Sequence, residues 1–362
     1  MKKIKLLGVL VLIFALSGCR GSHDIKDVAI VMGMGISKGG GQYETTAQVV
    51  LPSGLSKNGE GDSFENYSGE GESLAKSIVN ASSKCEKYMY MSHTTSLLIS
   101  EEYAREGIYE ALDYFMRSPS LSGNVSVAVA QGDINEVLKT ETKLLKVPVS
   151  SVASLSRRLR ETAFGKNITV SDFAEIAFGK SSACLVPLIS AENGENTIEG
   201  SAVFKNGKMT EKISNKEATG VLWLSGKTKN AVMAVPFEDK SFDIKIKNVK
   251  TKLNFENNLV TVNIKCGINV LRDNSGILPE VGKEKAAEII NQEIKRMIIA
   301  SFDKMKKINA DVYGFSEMIY KKDREKWLLL SSDGDVLQKI TLDVKINTKI
   351  EDEGNILNSG GK

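Results

Sequence analysis

Histidine and cysteine, the residues that build most metal and nucleophilic sites, are scarce in this chain. It has 2 histidines and 4 cysteines among 362 residues. His23 and His93 are therefore the only candidates for a His-based triad or a His-rich zinc site. After Cys19, no apolar run approaches the roughly 20 residues that a membrane-spanning helix requires. The scarcity of histidine leaves few ways to build a His-dependent enzyme.

A short apolar segment with a positive start opens the chain. Three lysines precede the apolar residues 6–16, and the segment ends in Leu16-Ser17-Gly18-Cys19. Charge, length and small terminal residues together indicate a secretory signal that is too short to span a bilayer as a stable helix. Its ending resembles the lipobox of bacterial lipoproteins, in which the Cys19 thiol receives a diacylglyceryl group and cleavage leaves Cys19 first. The alternatives are an ordinary signal with a coincidental cysteine, or an uncleaved anchor.

The net positive charge of the full chain comes from the lysines of this predicted signal. The chain has 48 Lys+Arg against 45 Asp+Glu, a formal charge of +3. Removing residues 1–18 removes three lysines and no acid, which leaves 45 of each and no net charge. A neutral body has no electrostatic footprint for nucleic acid, so we expect no nucleic-acid partner.

Three cysteines remain once Cys19 is assigned to the lipid. Cys85, Cys184 and Cys266 are odd in number and far apart, which excludes a complete disulfide framework. One pair could form, and buried free thiols are equally consistent with the sequence. Cys266 in particular lies inside an apolar strand pattern.

Strand patterns occur in pairs with helices between them, which predicts a multi-domain α+β fold of mixed or antiparallel sheets with helices packed on them.

Residues 28–51 read as a hairpin, because a second strand pattern follows Gly33-Met34-Gly35 where a dinucleotide-binding loop would need a helix. Residues 53–72 are polar and predict a mobile loop. Residues 101–115 predict one amphipathic helix.

The C-terminal half carries the sharper local signals. Asn206-Gly207 predicts a hairpin, and Ser214 with Glu217 predicts a capped helix. The longest predicted helix, residues 279–307, is amphipathic, and its apolar stripe indicates a core face or a docking face for a partner. Residues 336–350 predict a final strand.

The polar segment 191–196 reads as a linker and predicts a domain boundary. The expected divisions are a signal peptide (1–18), an N-terminal α+β domain (19–192), a C-terminal α+β domain (197–354) that a break near residue 240 would divide further, and a loose tail (355–362).

No constellation for catalysis or metal binding stands out. No nucleophile elbow accompanies His93, which favours a structural or solvent-facing histidine. The acids Asp62, Glu65, Glu70 and Glu72 lack the spacing of a calcium loop and indicate a solvated acidic segment. We therefore predict no catalytic, cofactor-binding or metal-binding residue and no cofactor.

The two tryptophans, Trp223 and Trp327, adjoin apolar neighbours. Such neighbours favour buried anchors over ligand-stacking residues.

Five blocks match the pattern of a known family, in that family's order. The first is residues 27–36 with 43–49, and the second is His93 with 97–100, Ala104, 107–108 and 113–117. The others are 200–205 with 208–209, then 217–224, and finally the long helix with 310–316, Trp327 and the closing strand. Together they resemble the Ger(x)C family of spore germination lipoproteins, the C subunits of nutrient germinant receptors. Two departures are Arg20, where the family often has Trp, and residues 331–334, where it usually has an aromatic residue.

The resemblance implies a lipid-anchored, extracytoplasmic protein on the outer face of the spore inner membrane. Such a subunit acts beside integral membrane A- and B-type receptor subunits in nutrient-triggered germination. It is not known as an enzyme, and whether it binds the nutrient directly stays open. Cys19, as the lipidation site, is the one functional residue that we predict.

Two other classes of protein compete with this interpretation. A solute-binding lipoprotein of a transporter would show two βαβ lobes around a ligand cleft, whereas strand hairpins dominate here. A cell-wall hydrolase would need paired carboxylates or a metal set, and the sequence offers neither.

The lipobox generates a direct prediction. Substitution Cys19→Ala removes the thiol that accepts the lipid, so we expect the protein to leave the membrane fraction. The measurement is immunoblotting of membrane and soluble fractions after a high-salt wash. Retention at the wild-type level would contradict the anchor.

Overall fold

Two mixed sheets with helices packed on them form the protein. The computed structural model describes residues 27–51, 62–142, 144–162, 164–332 and 335–352. The first sheet contains β1 (Val28–Gly39), β2 (Gln42–Val50), β3 (Phe64–Gly71), β4 (Tyr88–Tyr90), β5 (Ser96–Ser100), β6 (Ser126–Ala130), β7 (Ala183–Glu192), β8 (Glu195–Lys205) and β9 (Lys208–Ser214). The second contains β10 (Ala231–Phe237), β11 (Lys240–Glu256), β12 (Leu259–Arg272) and β13 (Thr341–Asp352).

The helices lie between runs of strands along the chain, and the predicted α+β class is confirmed. They are α1 (Leu74–Ser82), α2 (Glu101–Glu106), α3 (Tyr109–Arg117), α4 (Ile134–Lys139), α5 (Pro148–Thr162), α6 (Val170–Ala177), α7 (Asn215–Leu224), α8 (Ile277–Lys307), α9 (Phe315–Lys322), α10 (Arg324–Ser331) and α11 (Val336–Lys339). The predicted long helix near the C-terminus is α8.

The first sheet is covered on both faces. Its order is β3-β2-β1-β5-β6-β7-β8-β9, with β4 pairing beside the start of β1. The central strands β1, β5, β6 and β7 are parallel, and the outer pairs are antiparallel. Because strand side chains alternate, Leu97 and Ile99 pack under α1, α2, α3 and α6, while Leu98 packs under α4 and α5.

The predicted hairpin over residues 28–51 is confirmed as β1 and β2, and Gly40-Gly41 form its turn with positive φ. The glycines within β1 have another role. A Cβ on Gly33 would lie 2.1 Å from a methyl of Val149 in α5. Gly33 thus lets a helix approach the sheet closely, and this segment is no phosphate-binding loop.

The predicted loop over residues 53–72 is wrong in its second half, where β3 pairs with β2. A Cβ on Gly69 would lie 2.1 Å from the backbone nitrogen of Ala81, and one on Gly71 would lie 2.6 Å from that of Ser77. Helix α1 therefore packs directly on the backbone of β3. Gly69 and Gly71 suggested a loop, but this contact requires them because a side chain at either position would clash with α1.

Two further expectations need correction. The single helix predicted over residues 101–115 is two helices, because Gly107 has a φ of 121° and ends α2. The predicted linker over residues 191–196 is the hairpin of β7 and β8, turning at Asn193-Gly194. The first sheet therefore continues through this point to Ser214. The division into domains 19–192 and 197–354 stays a prediction, and residues 1–18 and 355–362 lie outside the described residues.

The second sheet has the order β10-β11-β12-β13, and α8 packs along it. Most of the apolar stripe of α8 is buried, with Ile290, Ile294 and Ile298 fully so, which confirms that it forms core. The strand predicted over residues 336–350 begins only at Thr341, since α11 precedes it.

Helices α7 and α8 cross at very close range. The predicted cap is confirmed, because the Ser214 hydroxyl accepts from the backbone of Glu217 and the Glu217 carboxylate accepts from that of Ser214. One turn later, a Cβ on Gly220 would lie 2.6 Å from the carbonyl oxygen of Met297. The Lys304 ammonium donates to Glu217 at 2.7 Å beside this contact.

The crossing predicts the effect of Gly220→Ala. Alanine favours a helix over glycine by about 0.5–1 kcal/mol, but the added methyl overpacks the interface at a cost of about 1–3 kcal/mol. We expect a net loss of about 1–2 kcal/mol in the free energy of unfolding, measured with urea. Lys216→Ala, exposed on the same helix, is the control and should change it by less than about 0.5 kcal/mol. A more stable Gly220→Ala protein would contradict the close contact.

The ion pair beside the crossing predicts a pH dependence. Burial raises the pKa of Glu217, but hydrogen bonds from Lys304 and Ser214 outweigh it and hold the pKa below its ordinary 4.5. The stabilisation is therefore present above pH 4.5 and is lost as the pH falls through the folded-state value. Glu217→Gln should reduce the unfolding free energy at pH 7 by under about 1 kcal/mol, since the pair is partly exposed.

At pH 3 the difference between wild type and Glu217→Gln should shrink, because wild-type Glu217 is then increasingly protonated. Glu288→Gln, which breaks an exposed pair with Lys285 on α8, is the matched control and should have little effect at either pH. A Glu217→Gln effect that did not depend on pH would contradict the ion-pair contribution.

Candidate functional site: an apolar surface at the start of the first sheet

Cys19, the residue predicted to carry the lipid, lies outside the described residues. The described chain begins at Asp27, eight positions later, and β1 starts at Val28. The surface around the first residues of β1 is therefore the part of the fold closest in sequence to the predicted anchor.

A groove of about 800 Å³ opens beside the start of β1. Its walls come from the first residues of β1, from β4, from one side of α1 and from the end of α3. Val28, Ile30, Val79, Tyr88 and Tyr90 supply much of its apolar lining.

A second groove, of about 560 Å³, lies next to it and shares Ile30 and His93 with it. Its other wall is the segment between α4 and α5, with Leu144 and Leu145. We call the two linings together the amino-end surface, defined by Val28, Ile30, Met32, Val79, Tyr88, Tyr90, His93, Leu144 and Leu145.

Large apolar side chains project from this surface into solvent. In β4, alternation buries Met89 and turns Tyr88 and Tyr90 outward, at 53% and 41% exposure. Val79 on α1 is 58% exposed, and Leu144 is 94% exposed. Single exposed apolar residues are ordinary, but a contiguous group of them marks an interaction site.

The surface carries basic groups and no acid. Among the described residues that line the two grooves, His93 and Lys146 are the basic side chains, and there is no carboxylate. Asp62, Glu65 and Glu141 line a separate groove together with Lys139. The described lining of the two grooves is therefore free of carboxylates.

His93 is exposed and ends the 3₁₀ turn Met91–His93, with its ring centroid 5.6 Å from that of Tyr90. This position confirms the solvent-facing interpretation. Asp62, Glu65, Glu70 and Glu72 are exposed as well. Within the described ranges, no three His, Cys, Asp or Glu side chains are grouped closely enough to hold a metal ion.

The opposite edge of the first sheet is occupied by ion pairs. In open α/β sheets, ligands bind outside the carboxyl ends of parallel strands. Here Lys38 pairs with Glu106 at 3.2 Å, and Glu101 pairs with both Arg105 and Lys212 at 2.8 and 3.0 Å. Burial raises the pKa of Glu101, but the bonds from Arg105 and Lys212 lower it more. These charges therefore satisfy one another.

The two tryptophans occupy different positions. Trp223 is fully buried in the core, as predicted. Trp327 is half-buried, and the ammonium of Lys180 lies 5.1 Å from its ring centroid and 5.0 Å from that of Tyr320. This cation–π contact joins the loop before β7 to α9 and α10.

A buried carboxylate fastens the same junction. Asp311 accepts from the Ser181 hydroxyl at 2.9 Å and from the backbone nitrogens of Phe315 and Ser316 at 3.0 and 2.6 Å. Burial raises the pKa of Asp311, and these hydrogen bonds oppose the rise. The residue organises the start of α9 against the first sheet, which is a structural role.

The three cysteines in the described part of the chain are free thiols. Cys184 and Cys266 are buried, and Cys85 is half-buried. Burial raises the pKa of the Cys266 thiol to about 12, so it is protonated and unreactive at neutral pH.

No helix in the described part of the chain combines the length and apolarity needed to cross a bilayer.

Comparison with known protein families gives two consecutive matches. Residues 21–191 match the model of the spore germination protein N-terminal domain. Residues 199–354 match the model described as spore germination B3/GerAC like, C-terminal. The two models together cover most of the chain.

Individual relatives agree with these models. The chain is 26% identical to spore germination protein KC of Bacillus subtilis (strain 168) over 96% of both chains. It is 21% identical to spore germination protein A3 of the same organism over 69% of this chain and 68% of that one. The crystal structure of the GerBC protein superimposes with a TM-score of 0.58 at 17% identity, covering 88% of this chain and 97% of that one.

Proposed function

Because this chain belongs to the Ger(x)C family of spore germination proteins, we propose that it is the lipid-anchored C subunit of a nutrient germinant receptor. It acts through Cys19, which holds it on the outer face of the spore inner membrane. Its partners are the integral membrane A- and B-type subunits of the same receptor. It contributes binding surfaces and carries out no catalysis of its own.

The observation that carries this proposal is the pair of family matches, over residues 21–191 and 199–354, in the order of the family. A protein that shares the complete domain pair, and not one domain alone, is expected to occupy the same place in the complex. The lipobox-like ending at Cys19 supports the membrane attachment, and seven residues (20–26) separate Cys19 from the described fold.

The geometry of the surface supports a binding role. Exposed tyrosine and leucine side chains lie at the amino-end surface, and Val28 of the same surface is close in sequence to Cys19. The ionisable residues that could attract a substrate at the carboxyl edge of the sheet are engaged in ion pairs. An apolar surface beside a membrane tether suits a subunit that associates with a membrane or with membrane proteins.

A solute-binding lipoprotein of a transporter is the alternative. That function needs a ligand cleft between two lobes. Four surface grooves in the described part of the chain are all lined from within residues 28–150, on the first sheet and its helices. None of these four grooves is a cleft between two lobes.

The proposal predicts a selective germination defect. Deletion of the gene, in a strain with no second gene of this family, should slow nutrient-triggered germination several-fold because the receptor lacks one subunit. Germination by non-nutrient triggers should continue at the normal rate. The measurement is the fall in optical density of spore suspensions after each trigger.

Complementation distinguishes the contribution of the lipid anchor to the nutrient response from that of the folded protein. The wild-type gene should restore the nutrient response, and the Cys19→Ala gene should restore it poorly at equal protein levels. Normal nutrient germination in the deletion strain would refute the receptor role.

A further inference from the structure

We propose that the amino-end surface rests on the bilayer itself, so that the protein contacts the membrane through its folded body as well as through its lipid. This inference depends on the proposed anchoring at Cys19. The occupant that we assign to the surface is an anionic phospholipid membrane.

The first argument is the continuity of the surface. The two grooves share Ile30 and His93, so their linings form one face. Tyr88 and Tyr90 stand on one side of it and Leu144 stands on the other. Leu144 is 94% exposed. An almost fully exposed leucine is available for contact with a partner outside the described chain.

The second argument is the length of the tether. Eight residue steps separate Cys19 from Asp27, and a fully extended chain spans at most about 3.3–3.6 Å per residue. Asp27 therefore lies within about 30 Å of a lipid attached at Cys19. Val28, the next residue, already lines the larger groove. The predicted anchor therefore keeps the start of this face within reach of the membrane surface.

The third argument is the chemistry of the face. Tyrosine is enriched where hydrocarbon meets headgroups, because its ring is apolar and its hydroxyl is polar. Lysine can place its stem along apolar chains and its ammonium among phosphates. His93 and Lys146 are the basic groups on the groove linings, and no carboxylate in the described part of those linings would repel an anionic headgroup. Lipid therefore suits the face better than a basic or polar protein surface does.

Contact quenching by lipid tests the proposal directly. The acylated full chain is reconstituted into vesicles of brominated phosphatidylcholine and phosphatidylglycerol, with tryptophan placed at the surface by Leu144→Trp. The matched control is Leu329→Trp, a 74% exposed leucine on α10. Trp223 and Trp327 are common to both variants. We expect bromine to remove at least twice as much of the added emission from Leu144→Trp as from Leu329→Trp.

Each outcome has one meaning. Equal quenching of the two variants, in chains that float with the vesicles, would overturn the surface contact and leave the anchor intact. Quenching of Leu144→Trp only after the integral membrane subunits are added would also overturn it, in favour of a protein partner. Failure of the acylated wild-type chain to float with vesicles would overturn both the contact and the anchoring on which it depends.

Discussion

The close crossing of α7 and α8 is the contact that joins the two sheets of the protein. Helix α7 follows β9 directly, and α8 packs along the second sheet, so their contact sets one sheet against the other. Gly220 permits this approach because it presents no side chain to α8. The hydrophobic core around Gly220 contains Val203 from the first sheet, Trp223 from α7 and Phe242 from the second sheet. The two sheets therefore share one hydrophobic core.

Charge and apolar area are separated along the first sheet. The carboxyl edge of its parallel strands holds Lys38, Glu101 and their partners in mutual ion pairs. The amino edge, around Ile30 and Tyr90, is apolar and lacks carboxylates in its described lining. A chain with a formal charge of only +3 can thus have one face suited to a membrane, because the distribution of charge matters more than its sum.

Sequence patterns predicted the parts of the fold that depend on neighbouring residues. Asn206-Gly207 and the Ser214–Glu217 cap are examples, since turn and cap geometry is decided within four residues. Strand β3 was missed because Gly69 is explained only by the backbone of α1 above it. The apolar run around Ile30 predicts a strand. The exposed apolar surface beside this strand is formed together with β4 and the α4–α5 segment. Those contacts join residues distant in sequence, which no local pattern records.

The hairpin of β7 and β8 imposes an order on how the chain can assemble. As the chain is made from its N-terminus, residue 192 emerges while β8 and β9 are still missing, and β7 remains an unpaired strand edge. Such an edge is open to wrong pairing with other chains until residues 195–214 arrive. Completion of the first sheet therefore waits for the segment that also begins the second half. Both halves mature together, and a truncated first half would be prone to aggregate.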